Sequence, residues 1–123
     1  MSDLTNNSAQ TFKTPVTEKG VVPIVTLDAN DFPEAVYRIF ALDCTTVLVT
    51  ATLTGGDIIV VADVDAAGAP TEVFETTLTK AKMLDTIVPA GEYIHQFKVT
   101  NAAGLELPPV FQEDVTIVRA CEA

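Results

Sequence analysis

The sequence contains no tryptophan, a single histidine and only seven lysines and arginines. Each scarcity removes a class of function. With 17 acidic side chains against those seven, the formal charge is −10. Binding nucleic acid depends on cations that neutralise phosphates and release counterions, so such a chain is repelled by DNA, RNA and anionic lipid. One imidazole leaves little for a catalytic triad or a zinc site, both of which need a histidine with partners at suitable spacing. The longest apolar run, Ile58-Ile59-Val60-Val61-Ala62, is far shorter than the roughly 18 residues of a membrane helix. Met1-Ser2-Asp3 opens a polar stretch with neither a basic nor an apolar region behind it, so no signal peptide is expected. Without export, Cys44 and Cys121 are expected to be free thiols, and the Asn6-Asn7-Ser8 glycosylation pattern carries no meaning.

What is present is an ordinary apolar fraction, 48%, in a chain of 123 residues, enough for one core and too short for two. Aromatics are only 7%, so Val, Ile, Leu, Ala and Thr must fill most of that core. Two regions are expected. Residues 1–19 are polar, interrupted by Pro15, and read as an N-terminal arm whose few apolar groups include Phe12 and Val16. Residues 20–123 read as a β domain, because the apolar period from Gly20 onward is two.

Residues 21–27 read as an edge strand, with Pro23 inside it. Asp28-Ala29-Asn30-Asp31-Phe32-Pro33 is a turn cluster. Residues 34–42 form a strand apolar on both faces, with Val36, Phe40 and Leu42 set against Tyr37, Ile39 and Ala41. One of those faces is expected to meet another molecule. The next strand places Val47, Val49, Ala51 and Leu53 on one face and threonines on the other, and Gly55-Gly56 turns it back. Ile58, Val60, Ala62 and Val64 are expected to line a fourth inner face, and Phe74 and Leu78 a fifth. Thr79 caps a single helical turn. Tyr93, His95, Phe97 and Val99 share a core face, and strands over residues 105–110 and 114–118 close the sheet. Seven or eight short strands with frequent turns predict a β-sandwich.

Candidate chemistry is sparse. His95 lies between Tyr93 and Phe97 and reads as a hydrogen-bonded core or interface histidine. Residues 28–31 begin like a calcium loop, but Pro33 stands where glycine is needed. Asp63 and Asp65 read as a solvated acidic face, with a hard-cation site as the alternative. Glu72 and Glu75 bring further carboxylates near them without the aromatic cleft that glycoside hydrolysis requires. No catalytic residue, metal site or cofactor is therefore assigned.

Residues 45–53, Thr77-Leu78-Thr79, and above all the passage Pro89-Ala90-Gly91-Glu92-Tyr93 with its alternating strand and closing Asn101-Ala102-Ala103-Gly104 carry a resemblance. Together with Val115-Thr116-Ile117-Val118, they resemble the immunoglobulin-like β-sandwich modules of tailed-phage structural proteins, over about residues 45–118. His95 departs from that pattern at a position often aromatic, as does Pro108-Pro109 in the following strand. The resemblance implies an immunoglobulin-like antiparallel sandwich in a virion, assembled in the host cytoplasm. It also implies a non-enzymatic role, foremost as a capsid decoration or cement protein. A tail or baseplate module and a glycan-binding or cell-surface sandwich are the alternatives. The expected partners are the major capsid protein or other virion subunits and further copies of the chain. The residues expected at those interfaces are Phe12, Val16, Val21, Tyr37 and Ile39.

Overall fold

The computed structural model describes residues 3–17, 26–65 and 67–120. Ten strands follow in chain order: β1 (Asp3–Thr5), β2 (Gln10–Thr14), β3 (Val16–Thr17), β4 (Thr26–Leu27), β5 (Glu34–Phe40), β6 (Val47–Thr52), β7 (Ile58–Val64), β8 (Pro70–Leu78), β9 (Gly91–Thr100) and β10 (Phe111–Val118). They form a five-stranded sheet in the order β1-β10-β9-β5-β6, a three-stranded sheet β2-β8-β7 and a small ribbon β3-β4. All pairings are antiparallel except β1 with β10. The molecule is an all-β protein of two sheets laid face to face.

The inner faces follow the period-two pattern. Ala35, Tyr37 and Ile39 of β5, His95, Phe97 and Val99 of β9, and Val115 and Ile117 of β10 are buried on one side. Phe12, Ile58, Phe74 and Leu78 are buried on the other. Aromatic rings cross between the layers, Phe12 on Tyr37 at 5.1 Å and Phe74 near Phe97 at 5.6 Å. Such pairs add to the area they bury.

Three aspartates hold turns. Asp28 caps a 3-10 turn over Ala29–Asp31 by accepting from the Asn30 amide. Asp43 accepts from the amides of Thr46 and Thr45 and from the Thr46 hydroxyl, which together hold its carboxyl down at about 2. These bonds fix a turn in which Cys44, exposed and free, takes a φ of 60°. Asp65 accepts from the amides of Ala67 and Ala69. A turn is present at Gly55-Gly56, with Gly56 at a φ of 85°, but it is not the expected hairpin, because β6 and β7 on either side of it belong to different sheets and do not pair. Thr79 caps a 3-10 turn over Lys80–Met83.

Three expectations are corrected. The polar arm is not detached. β1 adds to β10 and β2 adds to β8, so residues 3–17 contribute a strand to each sheet. The crossing between them is pinned: buried Asn6 donates to the Val88 carbonyl at 3.0 Å and accepts from the Ala120 amide at 3.1 Å. Asn7, at a φ of 54°, accepts from the Asp85 amide. Alternation at Phe12, Thr14 and Val16, all buried, supplies the driving force that polar composition concealed.

The second correction concerns β5. Tyr37 and Ile39 point into the core and are 0% exposed, so they cannot face a partner; Val36, Arg38 and Phe40 form the outer side. Third, Pro108-Pro109 prevents a strand over 105–110. One bridge, Thr100 to Glu106, and the Leu107 and Val110 amide bonds to β9 stand in its place. The expected edge strand over 21–27 is described only at Thr26–Leu27, and Val21 lies outside the described residues.

Deleting residues 1–19 therefore removes core, not appendage. Truncating one buried phenylalanine costs about 3–5 kcal/mol, and whole domains are stable by about 5–15 kcal/mol. The deletion takes Leu4, Phe12 and Val16 together. Residues 20–123 alone are expected to show no cooperative melting transition by circular dichroism; a sharp melt would contradict this placement.

Candidate functional site

The most developed side-chain constellation lies at the end of the sandwich where β2 leaves its sheet and β10 begins. β9 sets His95 opposite Glu113 on β10 and Ile39 on β5. Tyr37, two residues before Ile39, reaches it diagonally. The Tyr37 hydroxyl lies 2.9 Å from His95 Nδ1, and His95 Nε2 lies 3.0 Å from Glu113 Oε1. The imidazole is buried, whereas the Glu113 side chain is about half exposed, 48%, at the surface end of the chain of bonds. Phe111 covers the ring at 4.8 Å.

The protonation pattern that satisfies every atom has the phenol donating to Nδ1 and Nε2–H donating to the carboxylate. Burial, with the Glu113 charge adding to it, pushes the Tyr37 phenol far up, which keeps it a donor. The hydrogen bond from His95 holds the Glu113 carboxyl below its usual range. Both imidazole nitrogens are thus spent on neighbours within the fold.

Beside this link are two adjoining clefts. One, about 280 Å³, is lined by Phe12, Pro15, Thr17, His95, Val110 and Phe111 among others. The other, about 230 Å³, is formed by Val16, Leu27, Phe32, Val99, Leu107 and Pro109 with their neighbours. They share Thr17 and Val110. Their walls are mainly apolar and come from four separate stretches of chain, around residues 12–17, 27–32, 95–99 and 107–111.

The structure brings together two of the expected interface residues here. Phe12 and Val16 line the clefts with their residual surface, although most of each is buried. Tyr37 stands behind them in the core. Glu113 and Val110 escaped the sequence reading. Glu113 follows from strand register, which a two-strand count across the 101–110 connection would have supplied.

The acidic candidates do not converge. Asp63 accepts from the Val64 amide and lies 3.9 Å from Lys13, while Asp65 is occupied by its turn. Glu72 and Glu75 stand three residues apart on β8 and so project from opposite faces. Among the described residues no cluster of three His, Cys, Asp or Glu is placed to hold a metal ion. No helix among them is long and apolar enough to cross a membrane. At the other end of β9, the Tyr93 hydroxyl donates to the Pro89 carbonyl at 2.6 Å, tying the strand to the loop that precedes it.

Tyr37→Phe is expected to leave buried Nδ1 of His95 without its phenol partner. Urea unfolding should then show a loss of about 1–3 kcal/mol. An unchanged midpoint would show that the bond contributes nothing to the fold. Comparison of the chain with protein-family models, with curated proteins and with solved structures returns no match.

Proposed function

We propose that the chain is a non-enzymatic structural protein of a virus particle, an immunoglobulin-like module that decorates or cements a phage capsid. Strand order supports the immunoglobulin-like part of this reading. Lettered by position, β2, β8 and β7 take the places of strands B, E and D, and β10, β9, β5 and β6 those of G, F, C and C′. Tyr93 fits the tyrosine corner of such sandwiches, a tyrosine near the start of strand F bonded to the backbone a few residues upstream.

The observation that carries the functional part is the pair of apolar clefts at the loop end, beside a histidine already committed to Tyr37 and Glu113. In the lettering above they lie between the B–C and F–G connections, the end at which variable domains bind. The strongly acidic balance favours a protein surface over nucleic acid as the partner. In this reading the clefts receive apolar side chains of the major capsid protein or of another virion subunit, and the copies of the chain associate with one another.

Quantitative mass spectrometry of particles purified from the source gives the test. A shell component is expected at hundreds of copies per particle. A handful of copies would move the chain to the tail or baseplate, and its absence from particles would overturn the virion reading.

A further inference from the structure

The four outer edges of the two sheets differ in how they are guarded. An edge strand presents unpaired amides and carbonyls, and proteins blunt it with short length, lysine, proline, bulges or a covering loop. β1 has three residues. β2 carries Lys13 and runs into Pro15. On β6, Lys82 reaches across to donate to the Thr50 carbonyl at 3.0 Å, and its pairing with β5 shifts register at Ile39/Phe40. β7 differs: it is seven residues long, Ile58-Ile59-Val60-Val61-Ala62-Asp63-Val64, in unbroken register with β8. It contains no proline or lysine, and Ile59 and Val64 are 48% and 59% exposed.

The hydrogen-bond phase of this strand is fixed at both ends. The Thr77 amide donates to the Asp57 carbonyl and the Asp65 amide to the Ala69 carbonyl. Antiparallel pairing alternates, so Ile59, Val61 and Asp63 turn their backbone groups to β8. Ile58, Val60, Ala62 and Val64 turn theirs outward. Among the described residues only the Val64 amide of these has a recorded partner, the Asp63 carboxylate at 2.9 Å.

We propose that two copies of the chain pair antiparallel along β7, about a two-fold axis at Val61, joining their three-stranded sheets into one of six. This register engages all seven residues. Val60 faces Ala62 of the second copy and Ile58 faces Val64, each in a hydrogen-bonded pair, and the two Val61 side chains meet in a non-hydrogen-bonded pair. Within the seven residues each Asp63 falls opposite an Ile59; just beyond each end Asp57 faces Asp65 of the second copy, whose carboxylate is already held by the Ala67 and Ala69 amides. Recentring on Val60 or on Ala62 would leave two fewer of the seven residues paired. The outermost bonds require Asp63 to release the Val64 amide. The proposal rests on the structural role only for the expectation that copies associate.

The test uses the purified full-length chain with Cys44→Ser and Cys121→Ser, so that its failure and that of the virion reading are separate results. Cα atoms of a non-hydrogen-bonded pair lie about 4.5 Å apart, within disulfide reach. Val61→Cys is expected to cross-link into a dimer under mild oxidation at least tenfold faster than Ile59→Cys. In this register the two Ile59 positions stand four residues apart along the strand, about 13 Å. Ile59 is the more exposed of the two, so random collision would favour it. Equal or faster cross-linking through position 59 would overturn the register. In light scattering, the otherwise unaltered chain is expected to show a larger mass than Val61→Lys, which sets two cations against each other on the axis. Equal masses would overturn the pairing.

Discussion

A tyrosine buried without a partner would destabilise this core, and the fold is organised around giving Tyr37 one. A hydroxyl taken out of water costs free energy unless it is hydrogen-bonded. His95 meets that need, and then requires a partner of its own, which Glu113 supplies at the surface. The three residues come from β5, β9 and β10, so one chain of polar contacts spans three strands of the larger sheet. In the other direction the Tyr37 ring meets that of Phe12 from the smaller sheet in an edge-type contact. In a protein with no tryptophan, this ring-on-ring contact and that of Phe74 with Phe97 are the principal aromatic joints between the layers.

Phe12 can reach Tyr37 only because the N-terminal segment crosses from one sheet to the other. β1 runs parallel to the last strand, Asn6 and Asn7 turn the chain under hydrogen bonds to the loops at 83–88 and 120, and β2 emerges beside β8. Bonding both amide atoms of Asn6 closes the structure at its first turn and keeps its side chain buried. The small size of the domain makes such closure important: each strand removed exposes a sheet edge as well as core.

Much of this was legible in the amino-acid order. The alternation at Tyr93, His95, Phe97 and Val99 identified β9 and its inner face, the glycines at 55–56 placed a turn, and Thr79 announced its cap. β5 was read inside out because both of its faces are apolar and period two alone does not say which is inner. Arg38 held the answer, since it shares a face with Val36 and Phe40 and a cation belongs outside. The N-terminal strands were hidden by threonine, asparagine and glutamine, which carry no hydrophobic signal although Thr14 and Asn6 are buried. The His95–Glu113 pair was missed for another reason. It depends on the register of two strands across a proline-containing connection, which had to be counted through and was read instead as a further strand.

The functional reading follows from the same economy. The lone imidazole links three strands of the larger sheet, three aspartates hold turns, and apolar ground is left at the loop end and along one strand edge. The claim beneath all of it is that the first strands, clasping Tyr37 through Phe12, belong to one cooperative unit with the rest. Native-state hydrogen exchange tests this most directly. The hydrogen-bonded amides of β1 and β2 should exchange with the same free energy as those of β5 and β9. Exchange of the N-terminal amides through low-energy local opening, with β5 and β9 still protected, would contradict it.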